Sequence, residues 1–209
     1  MQAARTVSQD YWRAQQAFQA LEHVSLTDPL TQVPNRLHFE RQYQLEWLRA
    51  CRLNTRVGVM IVDLDHFKHI NDEHGHPAGD LVLQAAAEAM TAAIMRPCDL
   101  LARYGGEEFI VLLPDITEDG AQVVAERLRT QVERLRIDLP SRSIGITCSV
   151  GYTCVIPGHE LNADDLIRQA DQALYQAKLA GRNRSQGWAR PSNATEIAPQ
   201  PAEVDQALP

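Results

Sequence analysis

Residues 57–62, Val-Gly-Val-Met-Ile-Val, form a nearly unbroken apolar and largely β-branched run that stops at Asp63. A strand of that composition is buried on both faces, so it needs helices on either side of a sheet, and it delivers a carboxylate to its C-terminal end. A second constraint comes from two further apolar runs, Leu100–Tyr104 and Glu107–Leu113, separated by Gly105-Gly106. That arrangement predicts a tight β-hairpin. Helical patterns occupy Arg36–Leu53 behind an Asn35 cap, then Asp80 to about Met95, Thr117–Leu135, and Asp164–Ala180, closed by Gly181. Ile144–Val155 reads as a strand bent at Gly151, and Arg184–Trp188 as a short last strand.

The order is strand, helix, hairpin, helix, strand, helix, short strand. It predicts an α/β (α+β) chain with a ferredoxin-like, palm-type central mixed sheet flanked by helices. Outside that unit, expected to span residues 26–188, two segments stand apart. In residues 1–25, Val7, Tyr11, Ala14, Phe18 and Leu21 are spaced 4, 3, 4, 3, which suits a helix able to form a coiled-coil seam. Residues 189–209 are rich in Pro, Ala and Gln with little apolar bulk, and are expected to be a disordered tail.

The formal net charge of −7 and the lack of a basic run disfavour a nucleic-acid surface, though not a local pocket for one nucleotide. No apolar stretch approaches the ~20 residues of a membrane helix, and no signal-peptide pattern opens the chain. Cys51, Cys98, Cys148 and Cys154 contain no CxxC pair and read as reduced thiols. A cytoplasmic protein without membrane insertion is expected.

The residues with chemical potential are carboxylates and cations. Asp63 ends one strand, and Glu107 and Glu108 follow the glycine turn of the hairpin. If those strands are neighbours, Asp63 meets one of the glutamates, and paired hard oxygens suit Mg²⁺ with substrate phosphates completing the coordination. Side chains alternate along a strand, so Glu107 and Glu108 are expected on opposite faces. Gly105 and Gly106 leave room for a triphosphate to approach the backbone. Lys178 and Arg182 are four apart at the end of the last long helix, and Lys68 lies five residues after Asp63. Each alone is ordinary surface charge; together they make a cradle for triphosphate and Mg²⁺. His66, His69, His74 and His76 cluster but no cysteine joins them, so zinc is not expected.

Arg103–Phe109 (RYGGEEF) resembles the signature of the GGDEF diguanylate cyclases in its GGEEF form. Asp63–Asp72 with Gly75–Asp80, Ala170–Lys178 with Gly181–Arg184, and Asp28–Thr31 with Pro34–Arg36 resemble the family's other motifs, in the right order. The resemblance implies an enzyme that condenses two GTP into cyclic di-GMP and two pyrophosphates on a homodimer. It implies that Asp63, the Leu64 carbonyl and Glu107 hold two Mg²⁺ per active site, or Mn²⁺ in their place. Glu107 would be the base for the ribose 3′-hydroxyl, and Glu108 would support the metal site. Phe67 through its backbone, Lys68, Lys178 and Arg182 would hold phosphates, while Asn71 and Asp80 read guanine. Arg96 and Asp99, an RxxD pair, resemble the family's product-inhibition site, with Arg127 as a second arginine. Gln32-Val33 departs from the usual Gly-Leu of the opening turn. Two other classes compete: a catalytically silent sensor that binds cyclic di-GMP through Arg96 and Asp99, and a cyclase making a cyclic mononucleotide. A pure scaffold would leave the acidic and basic constellation unexplained.

Overall fold

The Val57–Val62 run does form the centre of the sheet. In the computed structural model, which describes residues 26–139, 142–158 and 161–189, strand β1 spans Val57–Leu64 and every residue in it is buried. The expected N-terminal helix and the expected tail lie outside the described residues.

Helix α1 (Arg36–Leu53) starts where Asn35 Oδ1 accepts from the His38 N–H at 3.0 Å. After β1 come α2 (Phe67–His74) and α3 (His76–Ala93), then the hairpin β2 (Leu100–Gly105) and β3 (Glu108–Pro114). Helix α4 (Glu118–Glu133) is followed by the two-residue strands β4 (Ile137–Asp138) and β5 (Ser143–Ile144). The chain closes with β6 (Cys148–Val155), α5 (Ala163–Leu179) and β7 (Ser185–Gly187). The five-stranded sheet runs β2-β3-β1-β6-β7, antiparallel except for the β6–β7 pair, and it is flanked by the five helices. The expected mixed α/β palm is therefore the observed fold.

Alternation along β1 sorts the core. Met60, Val62 and Leu64 pack with residues of α3 and α4, including Leu83, Met90, Ala125 and Leu128. Val57, Val59 and Ile61 pack with Phe39, Tyr43 and Trp47 of α1 and with Leu166, Ala170 and Leu174 of α5. The next residue of that second set is Asp63, so its carboxylate belongs to the α1/α5 face.

Three local readings need correction. The helix expected from Asp80 begins at His76, because Pro77 occupies its first turn, and ends at Ala93. The strand expected over Ile144–Val155 is two strands, with the first diverted into pairing with β4. Gly151 sits inside β6 opposite Ile61, and its bareness serves close packing: an added Cβ would stand 2.1 Å from the Leu174 N and 2.3 Å from the Ala170 O of α5. The departure at Gln32 costs little architecture. Gln32 takes the left-handed conformation a glycine would supply, with φ 59°, and its amide donates to the Pro29 carbonyl at 2.7 Å. Cys51 and Cys98 are exposed, Cys148 and Cys154 are not, and all four are free thiols.

Candidate active site

Three segments far apart in sequence meet at the C-terminal end of β1. Asp63 is opposite Glu108 at the end of the β1–β3 register, and just beyond it the Leu64 N–H reaches the Glu107 carbonyl at 3.4 Å. From α5, Lys178 Nζ lies 2.7 Å from Asp63 Oδ2. The long sequence separation between Asp63 and Lys178 is bridged by the α5 packing on β1 and β6. Asn162 starts α5 with a reciprocal capping box, accepting from the Asp165 N–H while the Asp165 carboxylate accepts from its own.

The expected division of Glu107 and Glu108 by strand alternation is corrected. Gly105 takes the last place of β2, with a register shift after Arg103, and Glu108 opens β3. Glu107 therefore sits in the two-residue turn with Gly106, outside the ladder. Glu108 is the carboxylate that faces Asp63 directly, and Glu107 reaches the same point from the turn. Helix α5 ends at Leu179, and Arg182 lies beyond that end, as expected from Gly181. It lies in a left-handed turn at φ 62°, and its N–H returns to the Ala177 carbonyl at 3.1 Å.

The electrostatics favour an added cation. Burial raises the Asp63 pKa; Lys178 opposes this, and Glu107 and Asp65 add to it. Burial likewise raises Glu108, reinforced by Asp63, opposed by Lys178, and reinforced by Asp171 and Glu107. A cluster of carboxylates beside one lysine holds a surplus of negative charge that a divalent cation would neutralise. Among the described residues no group of three or more His, Cys, Asp or Glu side chains is placed to hold a metal by itself. The donor set fits Mg²⁺, which takes one or two carboxylates and completes its shell with water and substrate phosphates.

The hairpin turn is fastened from outside. Arg103 donates to the Gly106 carbonyl from Nε at 3.0 Å and from Nη2 at 2.8 Å, and its Nη1 reaches Asp28 Oδ1 at 3.1 Å. Asp28 also accepts from the Thr31 N–H and hydroxyl, and these bonds with Arg103 hold its carboxyl below the usual range despite burial. The opening motif thus braces the glycine turn. In the sequence Arg103 and Asp28 are 75 residues apart, and only the fold brings them into contact.

At the other wall, Phe67 is buried, Lys68 and Asp80 are exposed, and Asn71 is half-buried. Helix α2 lies against bare backbone in the first turns of α3. A Cβ on Gly79 would come within 2.0 Å of Asn71 Oδ1 and 3.1 Å of Phe67 Cζ. Gly79 therefore sets how closely Asn71 approaches α3.

The RxxD residues occupy a separate place, at the end of α3. Arg96 Nη2 lies 2.6 Å from Asp99 Oδ1 and 3.0 Å from the Pro114 carbonyl, while its Nε donates to Asp99 Oδ2 at 3.0 Å. The Asp99 side chain is only 1% exposed beneath that ion pair. Arg96, Asp99 and Arg127 line one depression with Met95 and Val123, and the Arg127 Nε is buried without a hydrogen-bond partner. His69 and His74 both approach Glu73, which also pairs with Arg142.

Comparisons with known proteins agree with this geometry. The family described as "Diguanylate cyclase, GGDEF domain" matches residues 25–184. The chain is 43% identical over 170 residues to a probable diguanylate cyclase, DgcT of Escherichia coli (strain K12), covering 80% of this chain and 37% of that protein. It is 35% identical over 196 residues to a cyclic di-GMP phosphodiesterase, NbdA of Pseudomonas aeruginosa, covering 92% of this chain and 24% of that one. The chain thus spans well under half the length of either relative. Among solved structures, the coiled coil and GGDEF domain of DgcB from Caulobacter crescentus, in complex with c-di-GMP, superposes with a TM-score of 0.80 at 27% identity, covering 87% of this chain and 95% of that one.

Proposed function

The chain belongs to the GGDEF diguanylate cyclase family, and from that premise we propose that it condenses two GTP into cyclic di-GMP and two pyrophosphates. The observation that carries the reading is the Asp63–Lys178 pair at 2.7 Å beside Glu108 and the Gly106–Glu107 turn. It unites a charge for a metal, a charge for phosphate and an open glycine turn at one strand end.

Asp63 and Glu107, with the Leu64 carbonyl, would hold two Mg²⁺, or Mn²⁺ in their place; when bound, the metal stabilises charge on the phosphates and polarises the attacking hydroxyl. Lys178, now paired with Asp63, would hold a phosphate oxygen when the metal site is filled. Lys68, Arg182, the Phe67 backbone N–H and the bare Gly105 and Gly106 complete the triphosphate cradle. Glu107, free of the ladder, takes the proton as the 3′-hydroxyl of one GTP attacks the α-phosphorus of the other, and pyrophosphate leaves. Asn71 and Asp80 read guanine, whose N1–H and N2–H a carboxylate can accept together. One chain presents one such site and the product joins two nucleotides, so turnover needs a homodimer. Residues 26–188 make up the cyclase unit, with residues 1–25 assigned to dimerisation. Product inhibition at Arg96, Asp99 and Arg127 is part of the reading. There the product would compete with the contacts Arg96 now makes to Asp99 and to the Pro114 and Asp115 carbonyls.

The likeness to a phosphodiesterase supports a second reading, a silent module that binds cyclic di-GMP. Incubation with GTP and Mg²⁺, followed by chromatography and mass measurement, separates the two. A dinucleotide product, with specific activity rising with protein concentration, is expected. No product at micromolar protein favours the sensor, and a cyclic mononucleotide overturns both.

Gly79 gives a sharper test of guanine recognition. Gly79→Ala pushes the Asn71 amide aside, so the KM for GTP should rise about five- to tenfold, the worth of one hydrogen bond, with kcat nearly unchanged. On an Asn71→Ala background the same substitution should add little, because the amide it collides with is gone and only the 3.1 Å approach to Phe67 Cζ remains. Additive losses would contradict the assignment.

A further inference from the structure

Asp65 stands two residues after Asp63, just past the end of β1, and by that spacing invites the role of a further metal ligand. Its surroundings assign it another task. The side chain is buried, in a residue only 3% exposed, and its oxygens are taken up by three neutral donors. Oδ1 accepts from the Ser149 hydroxyl at 2.7 Å, and Oδ2 from the Thr147 hydroxyl at 2.7 Å and the Asn183 backbone N–H at 3.0 Å. Thr147 and Ser149 bracket the start of β6, while Asn183 belongs to the loop after α5.

That loop has an unusual backbone. Gly181, Arg182 and Asn183 all have positive φ, at 112°, 62° and 45°, and two of the three carry a side chain. Such a run is strained at its non-glycine residues and persists only where surrounding contacts impose it. Here the contacts come from both sides. Asp65 holds the Asn183 N–H, while from α4 Arg129 donates to Asn183 Oδ1 at 2.9 Å and Glu133 accepts from Asn183 Nδ2 at 2.7 Å.

We infer that Asp65 is a positioning residue, which fixes the left-handed turn carrying Arg182 beside Lys178 through hydrogen bonds and takes no part as a metal ligand or base. The functional consequence rests on the proposed GTP reading; the structural one does not.

The chemistry of substitution separates these roles. In Asp65→Asn the amide oxygen can keep the bonds to Thr147 and Asn183, and the Ser149 hydroxyl can turn to accept from the amide N–H. A positioning residue therefore tolerates asparagine and not alanine, whereas a metal ligand or base loses function with either. The experiment pairs hydrogen exchange at the Asn183 amide with GTP kinetics for wild type, Asp65→Asn and Asp65→Ala. Asp65→Ala should speed exchange at Asn183 and raise the KM for GTP, each by about tenfold or more, as loss of a buried charged acceptor implies. Asp65→Asn should stay within about threefold of wild type in both, well inside the loss that removing a hydrogen bond to a charged group brings. If Asp65→Asn is as inactive as Asp65→Ala, or if exchange at Asn183 does not respond to alanine, the inference falls. Should Asp65→Ala not fold, the activity of Asp65→Asn alone decides. If wild type itself makes no cyclic di-GMP, the GTP reading fails while the exchange result still judges the turn.

Discussion

Asp63→Asn should leave the fold standing and reduce cyclic di-GMP synthesis by about a hundred- to a thousandfold, the scale on which a group stabilising transition-state charge is lost. The stability side follows from two opposed changes. The substitution removes an ion pair whose lysine is partly exposed, and with it the repulsion from Glu107 and Asp65 that adds to burial in holding the Asp63 pKa up. A pair of that exposure contributes no more than about 1 kcal/mol, so thermal unfolding should move by only a few degrees either way. Measuring product formation and the unfolding temperature on one preparation tests both halves. A variant that unfolds would make Asp63 a structural residue, and one that stays fully active would remove it from the site.

Gly151→Ala should do the opposite, breaking the fold first and activity with it. The new methyl would sit 2.1–2.6 Å from backbone atoms of Ala170 and Leu174, and no rotamer change relieves a clash with backbone. Helix α5 has to lift off β6, loosening its packing of Leu166, Ala170 and Leu174 against Val59 and Ile61. Overpacking of this kind costs about 3 kcal/mol or more, which lowers the unfolding temperature by about 6–12 °C for a chain of this size. Lys178 rides on α5, so GTP turnover should fall even below the midpoint of unfolding. An unchanged unfolding temperature would mean that the β6–α5 approach is looser than described.

What the sequence shows and what it hides divide along physical lines. The β1 run is legible because a strand buried on both faces has no other way to be written, and the Gly-Gly pair because two apolar runs must turn there. Asn35 and Gly181 mark a helix start and a helix end by cap chemistry. Glu107 was misplaced because alternation says nothing about which two residues form a turn; the register shift after Arg103 moved it out of β3. Gly151 looked like a bend because a glycine in a strand has several uses, and only the position of α5 shows which applies. Arg103, Asp28 and Gly79 were visible as motif letters, yet their work consists of contacts with distant residues. Asp65 is the sharpest case: by spacing it pairs with Asp63, and by its hydrogen bonds it belongs to β6 and the loop after α5. The strands β4 and β5 are two residues each, too short for any periodicity to register.

The whole account depends on a cation being gathered by the end of β1 and the acidic turn, with phosphate drawing Lys178 away from Asp63. A crystal grown with Mn²⁺ and a GTP analogue that cannot be cleaved between its α- and β-phosphates would show this through anomalous scattering. The account predicts Mn²⁺ between the Asp63 and Glu107 carboxylates, the triphosphate along Gly105 and Gly106, and Lys178 Nζ moved onto phosphate. Mn²⁺ or nucleotide bound elsewhere, with Lys178 still on Asp63 at 2.7 Å, would contradict it.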